Sequence, residues 1–261
     1  MRRFSTMRGV LGLAGTCVAI ALFASPQARA AEAKSEEIVE ETEKPRDLGP
    51  PLVDDLKSLK KLDPVQPVWI DAKQKQVVMV GETCRASYPL EFFTTTPGRE
   101  YEAVTVVRVK PSIVHAGLLA VGAKPGSTVK FRPKYTPPTG TEIVIEVRWK
   151  DKQGKLKQAP AQQWVRNIKT KKPLDVNWVF AGSGLHKDED TGREYYLGDS
   201  GDFISVLNLP TSVLDVPIPG SSDIESRTFE GFVDNMPPEN TPVTIVLKPK
   251  VGEKAKKEGG K

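Results

Sequence analysis

The sequence predicts an α+β fold that is predominantly β, with antiparallel and mixed sheets, one short buried helix at about 111–122 and many proline- and glycine-containing loops. Three observations lead to this prediction. Short apolar segments that alternate with polar residues recur through the middle of the chain, which is the pattern of β-strands. The 22 prolines leave little room for long helices. One apolar segment, which follows Pro111, has the length and the bounding residues of a helix.

The first predicted elements are a β-hairpin and a longer strand. The apolar segments PVWIDA and QVVMVGETC flank a polar turn, which is typical of a hairpin. The segment REYEAVTVVRV alternates between two faces, as a half-buried strand does. This strand would place Glu100 and Glu102 on one face, with their side chains roughly 7 Å apart along the strand.

The only predicted helix comes next. Pro111 suits the first turn of a helix, because its fixed backbone angle is helical and its missing N–H has no partner there in any case. Gly122 suits the end of the helix, where a left-handed backbone is common. Apolar side chains lie on nearly every side of the predicted helix, so we expect it to be buried.

The rest of the domain is predicted to consist of short strands separated by turns that are rich in glycine and proline. No segment repeats another, so a solenoid or a propeller is not expected. A strand close to the C-terminus completes the domain. In chain order these predicted strands are STVKFRP, TEIVIEVRW, DVNWVFAGSG, REYYLG, DFISVLN, TFEGFV and TPVTIVLKP.

The N-terminal 30 residues have the three parts of a secretory signal peptide. An apolar segment follows the basic residues Arg2, Arg3 and Arg8. Residues 28–30, Ala-Arg-Ala, then have the pattern of a signal-peptidase cleavage site. We therefore expect residues 1–30 to be a signal peptide, the protein to be exported to a periplasm or out of the cell, and no stable membrane span to remain after cleavage. A retained N-terminal anchor is the alternative, although the apolar segment is short for a span.

The charge of the chain is concentrated at its ends. The full chain has a net charge of +5, and the expected signal peptide holds four arginines and no acids, so the remainder has a net charge of +1. Residues 31–63 are expected to be a flexible acidic leader, residues 64–249 the folded domain and residues 250–261 a disordered basic tail. A nearly neutral domain argues against nucleic acid and favours a protein or a small ligand outside the cytoplasm as the partner.

Cysteine usage and motifs limit the chemistry. Cys84 is the only cysteine outside the expected signal peptide, so the mature chain can form no internal disulfide and cannot hold an iron–sulfur cluster by itself. Cys84 is either buried in a strand or available for an intermolecular bond. No glycine-rich phosphate loop, zinc-ligand spacing or nucleotide fingerprint occurs. We therefore expect no cofactor, no metal and no assigned catalytic residue.

Four polar residues form the candidate binding site. Glu100 and Glu102 share a strand face in the prediction, Glu91 precedes them, and His115 lies on the helix that follows. Carboxylates and a histidine are the groups that hold a metal ion or carry out acid–base chemistry. A histidine on a buried apolar helix is more often a hydrogen-bonded core residue, and we prefer that interpretation for His115.

Two short motifs suggest sites but fit turns better. HKDEDTGREYY has acids and a glycine in an order similar to a calcium loop, but its glycine is one position early and no glutamate lies at the twelfth position. A hairpin turn at EDTG is the preferred interpretation. GDSGDF resembles the nucleophile segment of trypsin-like proteases over four residues, but neither histidine has the sequence context of a catalytic base. We interpret this motif as a turn as well.

Taken together, these segments resemble the YdjY-domain family of bacterial proteins, over about residues 65–249. The family has no established activity, so the resemblance implies a domain boundary and not a mechanism. Where the family pattern has lysine-glutamate-histidine-glutamate-serine, this chain has the sequence 99–103, REYEA, which lacks the histidine and the serine. The segments that carry the resemblance are YPLEFFTTTPGREYEAVTVVRVKPSIVHAGLLAVGAKPGSTVKF, GTEIVIEVRWKDKQGK, AQQWVRNIKTKK, WVFAGSG, YYLGDSGDFISVLNLPTSVLDVPI and TPVTIVLKP.

The leading hypothesis is an exported binding or accessory protein of the YdjY type, with no established catalytic activity. The alternative is a metal-dependent or acid–base enzyme that uses Glu91, Glu100, Glu102 and His115 together. A third hypothesis is a surface structural protein that associates through its charged termini. The loss of the family's histidine and serine makes catalysis in this chain the less favoured outcome.

Overall fold

A computed structural model describes residues 46–86, 88–219 and 228–251. Within these ranges the chain forms fifteen strands and one α-helix, α1 (Pro111–Ala120), so the prediction of a mainly β, α+β fold is confirmed. The strands are β1 (Lys60–Lys61), β2 (Val68–Asp71), β3 (Gln76–Thr83), β4 (Phe92–Thr95), β5 (Ala103–Val106), β6 (Glu142–Lys150), β7 (Leu156–Pro160), β8 (Val165–Asn167), β9 (Trp178–Phe180), β10 (Leu185–Lys187), β11 (Glu194–Tyr196), β12 (Ile204–Ser205), β13 (Leu214–Asp215), β14 (Phe229–Gly231) and β15 (Pro242–Pro249).

Eight of these strands form a closed hydrogen-bonded ring. Their order is β3-β15-β6-β9-β13-β12-β4-β5, and β5 pairs back with the end of β3. The longest pairings, β3 with β15 and β15 with β6, are antiparallel, whereas β4 with β5 and β12 with β13 are parallel, so the sheet is mixed. Closure gives each of the eight strands a neighbour on both sides, which leaves few backbone groups unpaired at sheet edges.

Strand β3 is buried along its whole length, because both of its faces are covered. On one face Val77 contacts helix α1, where Gly117 allows a close approach: a Cβ at this position would lie 3.1 Å from Val77 Cγ2. On the other face Val80 lies beneath residues 48–52. An alternating strand has one polar face, and β3 instead has the apolar pattern of a strand buried on both sides.

Part of the expected flexible leader lies against the domain. Residues 46–63 belong to the range predicted as leader, and β1 within them pairs with β2. The backbone N–H of Leu52 donates a hydrogen bond of 2.8 Å to Thr244 Oγ1 on β15, and Pro51 is buried. The expected signal peptide, the first part of the leader and nearly all of the expected basic tail lie outside the described residues.

Helix α1 is confirmed close to its predicted bounds. It begins at Pro111 and ends at Ala120, and the N–H of Val121 donates to the carbonyl of Gly117. Gly122 follows with a φ of +92°, the left-handed conformation that was predicted to end the helix. The expectation of burial is true of one face only, since Leu119 is 46% exposed. Among the described residues, no helix has both the length and the apolar character to cross a membrane.

Two predicted strands are wrong in part. The strand expected from Arg99 begins only at Ala103, because residues 100–102 form a 3-10 turn. The segment STVKFRP forms no regular strand, and its one pairing is an isolated bridge between Lys130 and Thr136. The prolines in and after this segment lack the N–H groups that would extend the bridge into a ladder. The hairpin predicted at EDTG is confirmed as β10 and β11.

A buried acid, Asp215, forms hydrogen bonds that hold the loop between β12 and β13. Asp215 Oδ1 accepts hydrogen bonds from the N–H of Val216 at 2.8 Å and from Asn208 Nδ2 at 3.2 Å. Asn208 has a φ of +70°, and its Oδ1 accepts a bond from the Tyr135 hydroxyl at 3.2 Å. Burial raises the pKa of Asp215 to about 7, against the opposing effect of these hydrogen bonds.

This burial predicts a pH-dependent stability. The Asp215 carboxyl binds its proton more tightly in the folded chain, so its contribution to stability is largest below about pH 4 and is lost as the pH rises through about 7. In Asp215→Asn this dependence is absent. We expect the Tm of the variant, measured relative to that of the wild type, to increase by several degrees between pH 5 and pH 8. Thermal denaturation across this range checks the prediction, and parallel curves would contradict it.

Candidate functional site

Three acidic side chains converge on one arginine beside strands β4, β5 and β12. Arg99 Nη2 lies 2.8 Å from Glu91 Oε2, Nε lies 2.8 Å from Glu102 Oε1, and Nη1 lies 2.5 Å from Asp202 Oδ1. We call these four residues the Arg99 cluster. Glu91 immediately precedes β4 and Glu102 immediately precedes β5, and these two strands are parallel neighbours, so the fold brings the two acids together.

The surroundings of Arg99 fix its side chain. The guanidinium lies over the ring of Phe92, 4.3 Å from its centroid, which is the geometry of a cation–π contact. Gly201, which precedes Asp202, has a φ of +105°, a left-handed backbone conformation that favours glycine, and a Cβ there would lie only 3.0 Å from Thr96 Oγ1. Burial acts to lower the pKa of Arg99, but its hydrogen bonds to Glu102 and Asp202 outweigh that effect and the pKa is raised.

The four predicted site residues do not form one site. Glu91 and Glu102 meet at Arg99, as described, but Glu100 lies outside the cluster and accepts a hydrogen bond of 2.8 Å from the N–H of Gly98. The prediction that Glu100 and Glu102 share a strand face is wrong, because a 3-10 turn separates successive side chains by about 120° rather than aligning alternate ones.

His115 is bonded elsewhere. Its Nδ1 lies 2.7 Å from the hydroxyl of Tyr196, which in turn lies 3.1 Å from the carbonyl oxygen of Gly182. Since that carbonyl can only accept, the hydroxyl donates to it and accepts from the imidazole. The imidazole also packs edge-on against Phe180, with ring centroids 4.8 Å apart. Burial lowers the pKa of His115, and the nearby backbone carbonyl of Gly182 acts in the opposite direction. His115 therefore ties helix α1 to the end of β11.

The Arg99 cluster is better suited to holding the fold than to chemistry. Each acid places an oxygen on the guanidinium, so the point where the three carboxylates converge is filled by a fixed cation. A divalent cation would have to displace that side chain. Within the three described ranges, no group of three or more His, Cys, Asp or Glu residues is arranged to hold a metal ion.

A second candidate site is an apolar cavity on the outer face of β3 and β15. It has a volume of about 240 Å³ beside the segment that precedes β1, and Lys150 is the one basic residue among those that line it. We call it the Leu48 groove, after the half-buried leucine at its N-terminal wall. Its lining residues are Leu48, Gly49, Pro50, Leu52, Val80, Lys150, Thr241, Pro242, Val243 and Thr244.

Sequence reasoning missed both the centre of the cluster and the groove. Arg99 directly precedes the predicted Glu100, and its spacing to Glu102 is the i,i+3 spacing of an ion pair on a helical turn, which was a usable signal. Asp202 gave no such signal, because it lies 103 residues from Arg99. The groove joins residues 48–52 to β3 and β15, and only the folded chain brings these segments together.

Removal of Arg99 should destabilise the fold. In Arg99→Ala the three carboxylates would lose the guanidinium on which they converge, and we expect a loss of about 3 kcal/mol in the free energy of unfolding at pH 7. Urea denaturation of the variant and the wild type at pH 7 measures it.

A matched control for this variant is Asp54→Ala, which removes an exposed partner of Arg148. It should cost less than about 1 kcal/mol, as exposed ion pairs do. If Arg99→Ala were no more destabilising than this control, the carboxylates would not depend on Arg99.

Comparison with known proteins identifies a family for this chain, but it finds no curated relative whose activity could be compared. A family model described as the YdjY domain matches residues 68–248, from the start of β2 almost to the end of β15. No curated protein and no solved structure matches the chain. The matched range contains the whole Arg99 cluster and His115, whereas residues 48–52 of the Leu48 groove precede it. Since the match covers more than half of the chain, the protein belongs to the YdjY domain family.

Proposed function

We propose that the chain is an exported binding or accessory module that holds a ligand or a partner outside the cytoplasm. The observation that carries the proposal is the Leu48 groove, a concave and mainly apolar cavity with a single cationic side chain in its lining. Sites for small ligands usually combine an apolar wall with a few polar groups that orient the ligand. The proposal of export rests on the signal-peptide features of residues 1–30.

The arrangement of the acids favours binding over the enzyme alternative. That alternative requires Glu91, Glu100, Glu102 and His115 to act on one reacting group. Two of them are bonded to Arg99, Glu100 is bonded to Gly98, and His115 is bonded to Tyr196. An acid–base pair needs both groups within hydrogen-bond reach of the same substrate atom. The separate partners of these residues support a structural role for them.

Binding of a neutral apolar probe tests the proposal. We expect N-phenyl-1-naphthylamine to bind the full chain saturably, with an increase in its fluorescence. Leu48→Asp should weaken this binding by about tenfold or more, because it places a carboxylate in the apolar wall of the groove. Leu48 lies outside the ring of strands, so circular dichroism should show that the variant remains folded.

The matched control is Leu185→Asp, which makes the same change at a leucine that is 67% exposed on β10. This variant should bind the probe as the wild type does. If the wild type failed to bind the probe, or if both variants bound it equally well, the groove would not be a ligand site and the proposal would fail.

Retention of metal tests the enzyme alternative. After equilibration with Mn²⁺ or Zn²⁺ and dialysis, we expect the wild type to retain less than one ion per chain in elemental analysis. Arg99→Ala is the matched variant, because it vacates the point where the carboxylates converge and should retain more metal. One bound ion per wild-type chain that disappears in Glu102→Gln would favour the enzyme.

A further inference from the structure

We propose that the Leu48 groove binds the alkyl chain of an anionic amphiphile of the fatty-acid type, with the carboxylate head group at Lys150. The inference rests on the proposed function as a binding module and names the ligand class. It is carried by three features of the groove: the nature of its wall, the charge beside Lys150 and the volume enclosed.

The wall of the groove offers few free hydrogen-bonding groups. Thr244 Oγ1 already accepts from the N–H of Leu52, and Thr241 Oγ1 donates to the carbonyl of Pro238 at 2.6 Å. Pro50 and Pro242 have no N–H to offer. An extended peptide would bury N–H and carbonyl groups against this wall without partners, at a cost for each of them. An alkyl chain has no such groups, so the wall favours it over a peptide.

The charge beside the groove suits an anionic head group. Lys150 ends β6, and among the described residues its ammonium group makes no ion pair or hydrogen bond. The neighbouring Asp151 is engaged with its own turn: Oδ1 accepts from the N–H groups of Gln153 and Lys155, and Oδ2 lies 3.7 Å from Lys157 Nζ. Lys150 lines the groove, and its charge is therefore available to a ligand carboxylate there.

The volume of the groove suits one chain of medium length. About 240 Å³ corresponds to roughly eight water molecules at about 30 Å³ each, and a methylene group has a similar volume. A single chain of roughly eight to ten carbons would fill it. Each buried methylene strengthens binding by about fourfold at most, so affinity should increase steeply with chain length up to that limit and then level off.

Calorimetric titration of the full chain with decanoate, hexanoate and decanol tests the inference. We expect decanoate to bind with one molecule per chain, more tightly than hexanoate because of its length and more tightly than decanol because of its charge. Lys150→Glu should weaken decanoate binding by about fivefold or more and leave decanol binding nearly unchanged, since only the carboxylate meets the altered charge. Lys155→Glu, the same change at an exposed lysine that does not line the groove, is the matched control.

Four outcomes would overturn the inference. The first is that decanoate fails to bind while the neutral probe of the previous section still does, in which case the chain remains a binding module for another class of ligand. The second is that Lys150→Glu and Lys155→Glu weaken decanoate equally, which would indicate general charge attraction. The third is that binding does not increase from hexanoate to decanoate. The fourth is that an apolar peptide displaces the probe and decanoate does not.

Discussion

The pairing of β3 with β15 joins an early part of the domain to its last strand, over the six residue pairs from Pro242↔Glu82 to Leu247↔Val77. Strand β15 then pairs with β6 on its other side, so the centre of the sheet consists of three strands that are distant in sequence. Because β3 has no water-facing side, each of its faces needs a cover. Helix α1 contacts one face at Val77, and residues 48–52 lie over the other face at Val80, where the space between them and the sheet is the groove.

The sequence predicted best those elements whose structure is determined by residues within them or directly beside them. Helix α1 is bounded by Pro111 and Gly122, and the hairpin of β10 and β11 is set by the Asp188 turn, whose carboxylate accepts hydrogen bonds from Asp190 and Thr191. In each case the residues that determine the structure lie within a few positions of it. The segment before Ala103 was predicted wrongly. Its 3-10 turn is held by short-range bonds such as that of Arg99 to Glu102, together with the bond of Arg99 to the remote Asp202, and the alternating pattern of the segment reveals neither.

The candidate site likewise has features that the sequence indicated and features that it did not. The acids Glu91 and Glu102 were two of the four candidate residues, and the fold brings these two together, since each precedes one of two parallel neighbouring strands. The i,i+3 spacing of Arg99 and Glu102 was the local sign of a cation between them, but nothing near them in sequence indicates that Asp202 joins from the segment before β12. His115 was preferred as a core residue, and its bond to Tyr196 agrees with that preference. The alternating pattern at residues 100–102 was a poor guide because alternation applies only to a chain that is extended there.

The Leu48 groove has one wall outside the part of the chain that the YdjY family model recognises. Val80, Val243 and Thr244 belong to the matched range, whereas Leu48 and Leu52 precede it. Two chains with identical domains and different preceding segments would therefore present different cavities. If the chain binds ligands as proposed, substitution or loss of residues 48–52 would change its ligand selectivity and leave the eight-stranded ring intact. A comparison restricted to the matched domain would assign both chains to one family and would not detect that their cavities differ.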